Sequence, residues 1–344
     1  MVKRKKVAFG VILVIIAAAA IWLSLPPRPV RIDQDIQVGE EVNIPSRSGS
    51  LAGSLLLPSS VSAPTPAVVM ITGSGTYSYR KALQTGVPSH WKTAAEAFLE
   101  KGWMVLFLEK RGVNGSAGSW KKQSFAGRAE DAIAGIRYLC ARPDVDPGRV
   151  GLCGHSQGGW IVQLAAALYP EEVAFVVCLA GPNISVRQQI IDDGVNEWRC
   201  AGTSEDSILK KEKRLKRNLG LYAGLSRLVK IGYLSRILNY DPANIGARIR
   251  CPILALYGEH DTLVLPESNA PLLRAGLEKG GNINSRIMII PGASHGFFRI
   301  PGRCPDWDKV ELALAPEFKA ALDGWDPFSN PVPNPVPGNS LPEY

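Results

Sequence analysis

Apolar residues along this chain fall into two alternating patterns. Short stretches dominated by apolar residues occur at Ala67–Thr72, Trp103–Glu109, Arg149–Cys153, Val173–Ala180 and Cys251–Gly258. Strands without polar alternation are buried on both faces, as in a parallel sheet. Between them, apolar positions recur at helical spacing in Ser89–Lys101, Phe125–Ala141, Gln157–Tyr169 and Pro266–Gly280. In the second of these, Ala129, Ile133, Ile136, Leu139 and Cys140 share one side. Ser89 is placed to cap the first. Ahead of the alternation, Ile36–Pro45 and Ser50–Pro58 flank the turn Ser46-Arg47-Ser48-Gly49 and read as an antiparallel hairpin leading the sheet. Behind it, Arg286–Pro291 reads as the last strand and Asp308–Leu322 as a closing helix. No internal repeat is visible.

Three stretches stand outside this pattern. Val7–Leu25 carries no charge over a length that matches the hydrocarbon core of a bilayer, and it follows Lys3, Arg4, Lys5 and Lys6. A basic flank stays in the cytoplasm, so the expectation is an uncleaved membrane anchor with the rest of the chain outside. The competing reading is a cleavable signal with an A-x-A site at Ala18-Ala19-Ala20, giving a secreted protein. Pro182–Arg250 is helical in pattern and basic, and it contains Lys210-Lys211-Glu212-Lys213-Arg214-Leu215-Lys216-Arg217. It reads as a lid inserted over the sheet's carboxyl edge, with the charges either on a solvated helix face or drawn to anionic lipid headgroups. From Asp326 the tail is proline-rich and expected to be disordered.

Composition narrows the picture. The 344 residues suffice for one sizeable core. The net charge of +8 is concentrated at the start and in the 182–250 insertion. No aromatic-basic interleaving accompanies it, so nucleic acid is not an expected partner. The six cysteines are Cys140, Cys153, Cys178, Cys200, Cys251 and Cys304. Most read as small buried hydrophobes, while Cys200 with Cys304 is the first pair to test for a bridge. No C-x-x-C or histidine cluster suggests a metal site.

The chemistry centres on Gly154-His155-Ser156-Gln157-Gly158, a G-x-S-x-G turn between a strand and a helix. A serine there needs a strained backbone to lift its hydroxyl clear of the sheet, and side chains at Gly154 and Gly158 would collide across so sharp a turn. A serine hydroxyl also needs a base. His295, in a loop after the last strand, reaches the carboxyl edge; His155 points away from Ser156, and His90 and His260 are less well placed. Asp261 follows the strand ending at Gly258 and is the acid expected to orient His295, with Glu259 its nearest rival. The order Ser, Asp, His suits this arrangement. Backbone N–H groups of Gln157 and of Ser74 or Gly75, in the glycine-rich loop after Ala67–Thr72, are expected to hold the oxyanion. Tyr77, Tyr79 and Arg80 could line the site mouth or cover that loop. Arg111 could brace loops near the site or be solvated.

Together these motifs, including the strand-Gly73-Ser74-Gly75 loop and the Glu109-Lys110-Arg111-Gly112 turn, resemble the α/β-hydrolase superfamily, in its serine aminopeptidase-like and acyl-hydrolase (esterase) branch. Glu109 stands where many relatives have aspartate. The resemblance covers roughly Ile36 to Leu322. It implies a mostly parallel eight-stranded sheet with helices on both faces and a variable cap. The organisation expected is a basic flank at 1–6, an anchor or signal at 7–25, a linker at 26–35, a hydrolase domain at 36–325 and a tail at 326–344. The activity expected is cleavage of carboxylic esters through an acyl-enzyme on Ser156, with no cofactor or metal and a small acyl substrate. The alternatives are a serine peptidase or thioesterase on the same residues, or a binding protein on a hydrolase fold.

Overall fold

The computed structural model describes residues 39–60, 64–76, 78–84, 88–230 and 232–329. The flank, the 7–25 segment, the 26–35 linker and most of the tail lie outside the described residues, as does Tyr77. Eight strands form one sheet: β1 (Glu40–Ile44), β2 (Leu51–Leu56), β3 (Thr65–Ile71), β4 (Met104–Leu108), β5 (Val145–His155), β6 (Val176–Leu179), β7 (Ile253–Gly258) and β8 (Ser285–Ile290). Their order across the sheet is β1-β2-β4-β3-β5-β6-β7-β8. β1, β2 and β4 pair antiparallel, and the remaining pairs are parallel. The fold is therefore the mostly parallel α/β sheet expected.

Side chains of a strand alternate between faces, and the two halves of the core follow that alternation. Val69 and Ile71 of β3 and Leu106 and Leu108 of β4 point into one cluster, which α3 (Phe125–Cys140), α4 (Gln157–Leu168) and α8 (Pro266–Lys279) cover. Val68, Met70, Val105 and Phe107 point into the other, covered by α2 (His90–Glu100) and α9 (Pro316–Asp323). Ser89 caps α2 by accepting from Trp91 N–H. A short helix, α1 (Tyr79–Gln84), precedes it. Tyr79 and Arg80 belong to this helix and not to the site mouth. Tyr79 is fully buried and donates to Ser54 Oγ at 2.8 Å, while Arg80 pairs with Glu41 and lies 3.8 Å from Glu109.

The closing helix is shorter than the sequence pattern suggests. A 3-10 turn spans Trp307–Lys309, the chain then runs extended, and α9 begins only at Pro316. Proline disfavours helical backbone in the residue before it but suits the first helical turn. Leu314 instead bridges to Phe298.

Residues 182–250 do form helices: α5 (Val186–Cys200), α6 (Glu205–Leu228) and α7 (Leu234–Ile237). Three contacts tie this insertion to the sheet's carboxyl edge. Gln189 Nε2 donates to Leu263 O, Asn196 Nδ2 donates to Thr262 O at 2.9 Å, and Tyr233 O–H donates to Gln157 Oε1 at 2.9 Å. A disulfide joins Cys200, at the end of α5, to Cys304 in the segment after β8. Among the described residues no helix is long and apolar enough to cross a membrane.

Candidate active site

β5 ends at His155 and α4 starts at Gln157, which leaves Ser156 alone at the turn. Its backbone sits at φ 56°, ψ −123°, a region that costs a non-glycine residue about 1–3 kcal/mol. Surrounding structure enforces it. Ser156 N–H donates to Leu179 O at 2.9 Å, and Gly159 N–H donates to Ser156 O at 2.8 Å. A methyl on Gly154 would strike the Gly158 carbonyl, and one on Gly158 would strike that of Ile71. Helix α4 points its N-terminus here, with Gln157 supplying the first of its unsatisfied amides.

The loop after β3 passes beside the serine. A Cβ built on Gly73 would lie 3.2 Å from Ser156 Cβ and 3.8 Å from its Oγ. Ser74 and Gly75 follow, Gly75 with φ 70°. Two buried basic side chains hold this loop. Arg128 of α3 donates to Thr72 O at 2.8 Å and to Gln157 Oε1 at 2.7 Å, linking the β3 loop to the elbow. Lys110 Nζ donates to Gly75 O at 2.5 Å. Burial, then repulsion from Arg128, drives the Lys110 ammonium well below its usual pKa against the opposing pull of Glu109.

His295 and Asp261 meet at the same edge. The His295 Nδ1 is 2.7 Å from Asp261 Oδ2, so the carboxylate accepts from the ring N–H. Asp261 has no exposed surface, and its Oδ1 accepts from the amides of Leu263 at 2.8 Å and Val264 at 2.9 Å. Neighbours clamp the pair against the elbow. His155 Nε2 donates to His295 O at 2.9 Å, and the two rings lie 4.7 Å apart. Among the described residues no hydrogen bond joins the Ser156 hydroxyl to the His295 ring; His295 is tied to the elbow through its carbonyl, which accepts from the adjacent His155. Contacts between nucleophile and base often close only around substrate.

Electrostatics favour a charged His295 more than usual. Burial lowers its pKa, but the charge and hydrogen bond of Asp261, with Asp193 adding to them, outweigh burial and raise it. Asp193 projects from α5, accepts from Gln189 Nε2 at 2.8 Å, and is pushed up to about 6 chiefly by burial. His155 moves the other way: burial, then His90 and His295, hold it well below its usual value and keep it neutral.

The rivals have other partners. Glu259 Oε2 accepts from Gly292 N–H at 2.7 Å, and His260 Nδ1 lies 3.0 Å from Ile300 O. Arg111 does not brace the site. It pairs with Asp131 and donates to Ser48 O at 2.7 Å, pinning the β1–β2 turn to α3. It lines a cleft of about 1180 Å³ with Arg47, Arg137 and Tyr169, which contains neither Ser156 nor His295. Glu109 is buried and accepts from Ser78 O–H at 3.0 Å and from Asn114, anchoring α1 to the turn after β4. Sequence reading missed Arg128, Lys110, Tyr233 and Asp193. Arg128 was detectable as a charge three residues after Phe125 on the apolar side of its helix; Asp193, in a polar helix, carried no such signal.

An eight-stranded, mostly parallel sheet with a strained serine between strand and helix defines an α/β-hydrolase, and the chain is a serine hydrolase of that superfamily. More narrowly, it belongs to the X-Pro dipeptidyl-peptidase (S15) family, whose model matches residues 49–232. Esterase EstD of Thermotoga maritima is 26% identical over 254 residues, covering 71% of this chain and 57% of the esterase. An uncharacterized 31.7 kDa protein of Escherichia coli is 28% identical over 206 residues, covering 53% of this chain and 70% of the relative. Among solved structures, Est1E from Butyrivibrio proteoclasticus with bound ferulic acid superposes with a TM-score of 0.52 at 16% identity, covering 82% of this chain and 96% of that one.

Proposed function

We propose that this protein hydrolyses carboxylic esters through an acyl-enzyme on Ser156, with His295 as base, Asp261 as its orienting acid and the amides of Gln157 and of Ser74 or Gly75 as oxyanion donors. The observation that carries the reading is the strained Ser156 turn beside a His295 ring held at 2.7 Å by a buried Asp261. His295 Nε2 takes the hydroxyl proton as Ser156 Oγ attacks the acyl carbonyl. The oxyanion forms against backbone N–H groups fixed in advance by Arg128 and Lys110. Collapse breaks the ester bond, and the imidazolium returns its proton to the departing alcohol. Water then attacks the acyl-enzyme with the same base, releasing the acid and restoring Ser156. The relationship to the Thermotoga esterase supports an ester substrate.

The family match favours a second reading, cleavage of a short N-terminal peptide unit on the same residues. Helices α5 to α7 would act as the lid over either substrate. The Cys200–Cys304 bridge supports an oxidising compartment, in keeping with export behind residues 7–25, as anchor or as cleaved signal.

A fluorophosphonate probe should label the wild-type chain and not Ser156→Ala. The variant should lose at least about 10³-fold in ester turnover with an unchanged melting point. Equal labelling of both proteins would refute the assignment of Ser156. Faster turnover of Xaa-Pro amides than of short p-nitrophenyl esters would put the peptidase reading first.

A further inference from the structure

Helix α6 presents two opposite faces. Ile208, Leu219, Ala223 and Ser226 are buried, at the spacing of one helical side. The diametrically opposite ridge, one residue per turn, is Lys210, Arg214, Arg217, Leu221, Leu225 and Leu228, and all six are exposed. Leu228 is 84%, Leu221 71% and Leu225 53% exposed, with Val229 just beyond the helix at 47%. Single exposed leucines need no explanation. Three in register, continuing a line of cations, do.

The cations on that ridge are free to meet an outside partner. Glu205 and Glu212, two of the three acids on this helix, pair with Arg199 and Lys216. Lys210, Arg214 and Arg217 enter no ion pair among the described residues. Lys213 adds another exposed charge. The ridge from Lys210 to Leu228 is about 27 Å long, basic at one end and apolar at the other.

From this ridge we propose that α6 docks on an anionic phospholipid surface, its leucine end entering the headgroup boundary and its basic end lying on the phosphates. In a free amphipathic helix the apolar and basic sides are separated around the axis. Here one side is already committed to the protein core, so the two chemistries are separated along the axis, and the rod meets the surface inclined. A polyanion such as nucleic acid would match Lys210, Arg214 and Arg217 and leave the leucines in water. An anionic bilayer matches both halves. Because α6 packs on α5, and α5 is tied to the Asp261 loop through Gln189 and Asn196, docking holds the candidate active site to the lipid surface through these two helices. The surface requires neither the ester reading nor any contribution from residues 7–25.

The test reads α6 locally in the full chain, so that membrane binding by another segment does not count. An environment-sensitive fluorophore is placed on Leu228→Cys and, as control, on Ile283→Cys, which is exposed at the amino edge of the sheet; the wild-type chain treated identically is the blank. With phosphatidylcholine vesicles containing phosphatidylglycerol, the label at 228 should shift to the blue and be quenched by spin-labelled lipid, and the label at 283 should not. Pure phosphatidylcholine, or high salt, should weaken the effect at least about fivefold. Adding Leu221→Glu and Leu225→Glu should abolish it with the melting point unchanged; should that variant fail to fold, the contrast between the two labels and the two lipids still decides. An equal response at 228 and 283, or an equal response to neutral and anionic lipid, overturns the proposal. So does a blue shift at 228 without vesicles: if it grows with protein concentration, a second copy covers the ridge, and if not, the chain's own terminus does.

Discussion

Asp193 adds to the charge that raises the pKa of His295, the proposed base, against burial. A base works only when neutral, so a raised pKa moves the acidic limb of kcat/KM upward in pH. Replacing Asp193 by Asn removes that negative charge and should move the limb to lower pH, leaving the plateau above it nearly unchanged. Asp193 itself titrates at about 6, so in the wild type the two groups share the limb, and it should be broader than a single ionisation. A pH–rate series on both proteins checks this; an unmoved limb would mean that Asp193 acts only as a structural partner of Gln189. At this scale the pairing of His295 with Asp261 was legible because each lies in a loop just after a strand of the same sheet, and chain order ranks such loops. Asp193 and Arg128 were not, because what they face depends on how helices from distant parts of the chain pack. The sequence offers no partner for His155; its bond to His295 O required the fold.

The elements were legible wherever period and length agreed. Strands buried on both faces announced themselves as unbroken apolar runs, and the antiparallel hairpin by its turn. The last helix was overdrawn because apolar spacing continued through residues that Pro316 places outside it. The insertion is held differently from the sheet. Helix α5 carries only three buried residues, Val186, Gln189 and Ile191, and the Cys200–Cys304 bridge fastens its far end across 104 residues of sequence. A bridge closing so long a loop removes much freedom from the unfolded chain and is worth about 2–4 kcal/mol. Replacing both cysteines by serine should lower the melting point by about 5–10 °C. Reduction of the wild type should do the same, since both residues are exposed. Because α5 carries Asp193, the serine variant should also disturb the acidic limb described above. Loss of stability without that change would show that the Gln189 and Asn196 contacts alone hold α5 in place.

Across the whole molecule, the core half that holds Trp91 and Phe297 meets the candidate site at a stack of imidazoles. His90 and His155 lie 4.1 Å apart, and His155 and His295 4.7 Å apart. The Nε2 of His90 is buried without a hydrogen-bond partner among the described residues. Burial, and then His295, pushes the His90 pKa down to about 3, against roughly 6.5 in an unfolded chain. Between those values the unfolded state binds a proton that the native His90 refuses, so His90 makes stability fall as pH falls through this window, while the raised pKa of Asp193 opposes it there. His90 alone contributes a slope of up to about 1.4 kcal/mol per pH unit, and His155 adds in the same direction. His295 does not offset it: with a raised native pKa it is charged in both states below about 6.5, so its contribution is already constant there. Native carboxylates such as Asp144 and Asp146, lowered by their arginine partners, add to acid sensitivity only nearer pH 4. His90→Gln should therefore flatten the fall in unfolding free energy between pH 6 and 4.5, with a shallower slope by up to about 1.4 kcal/mol per pH unit, at the cost of some stability at pH 7.5. Urea titrations across that range read the slope directly. An unchanged slope in His90→Gln would assign the acid sensitivity elsewhere and mean that the His90 ring is charged or solvated in the native protein.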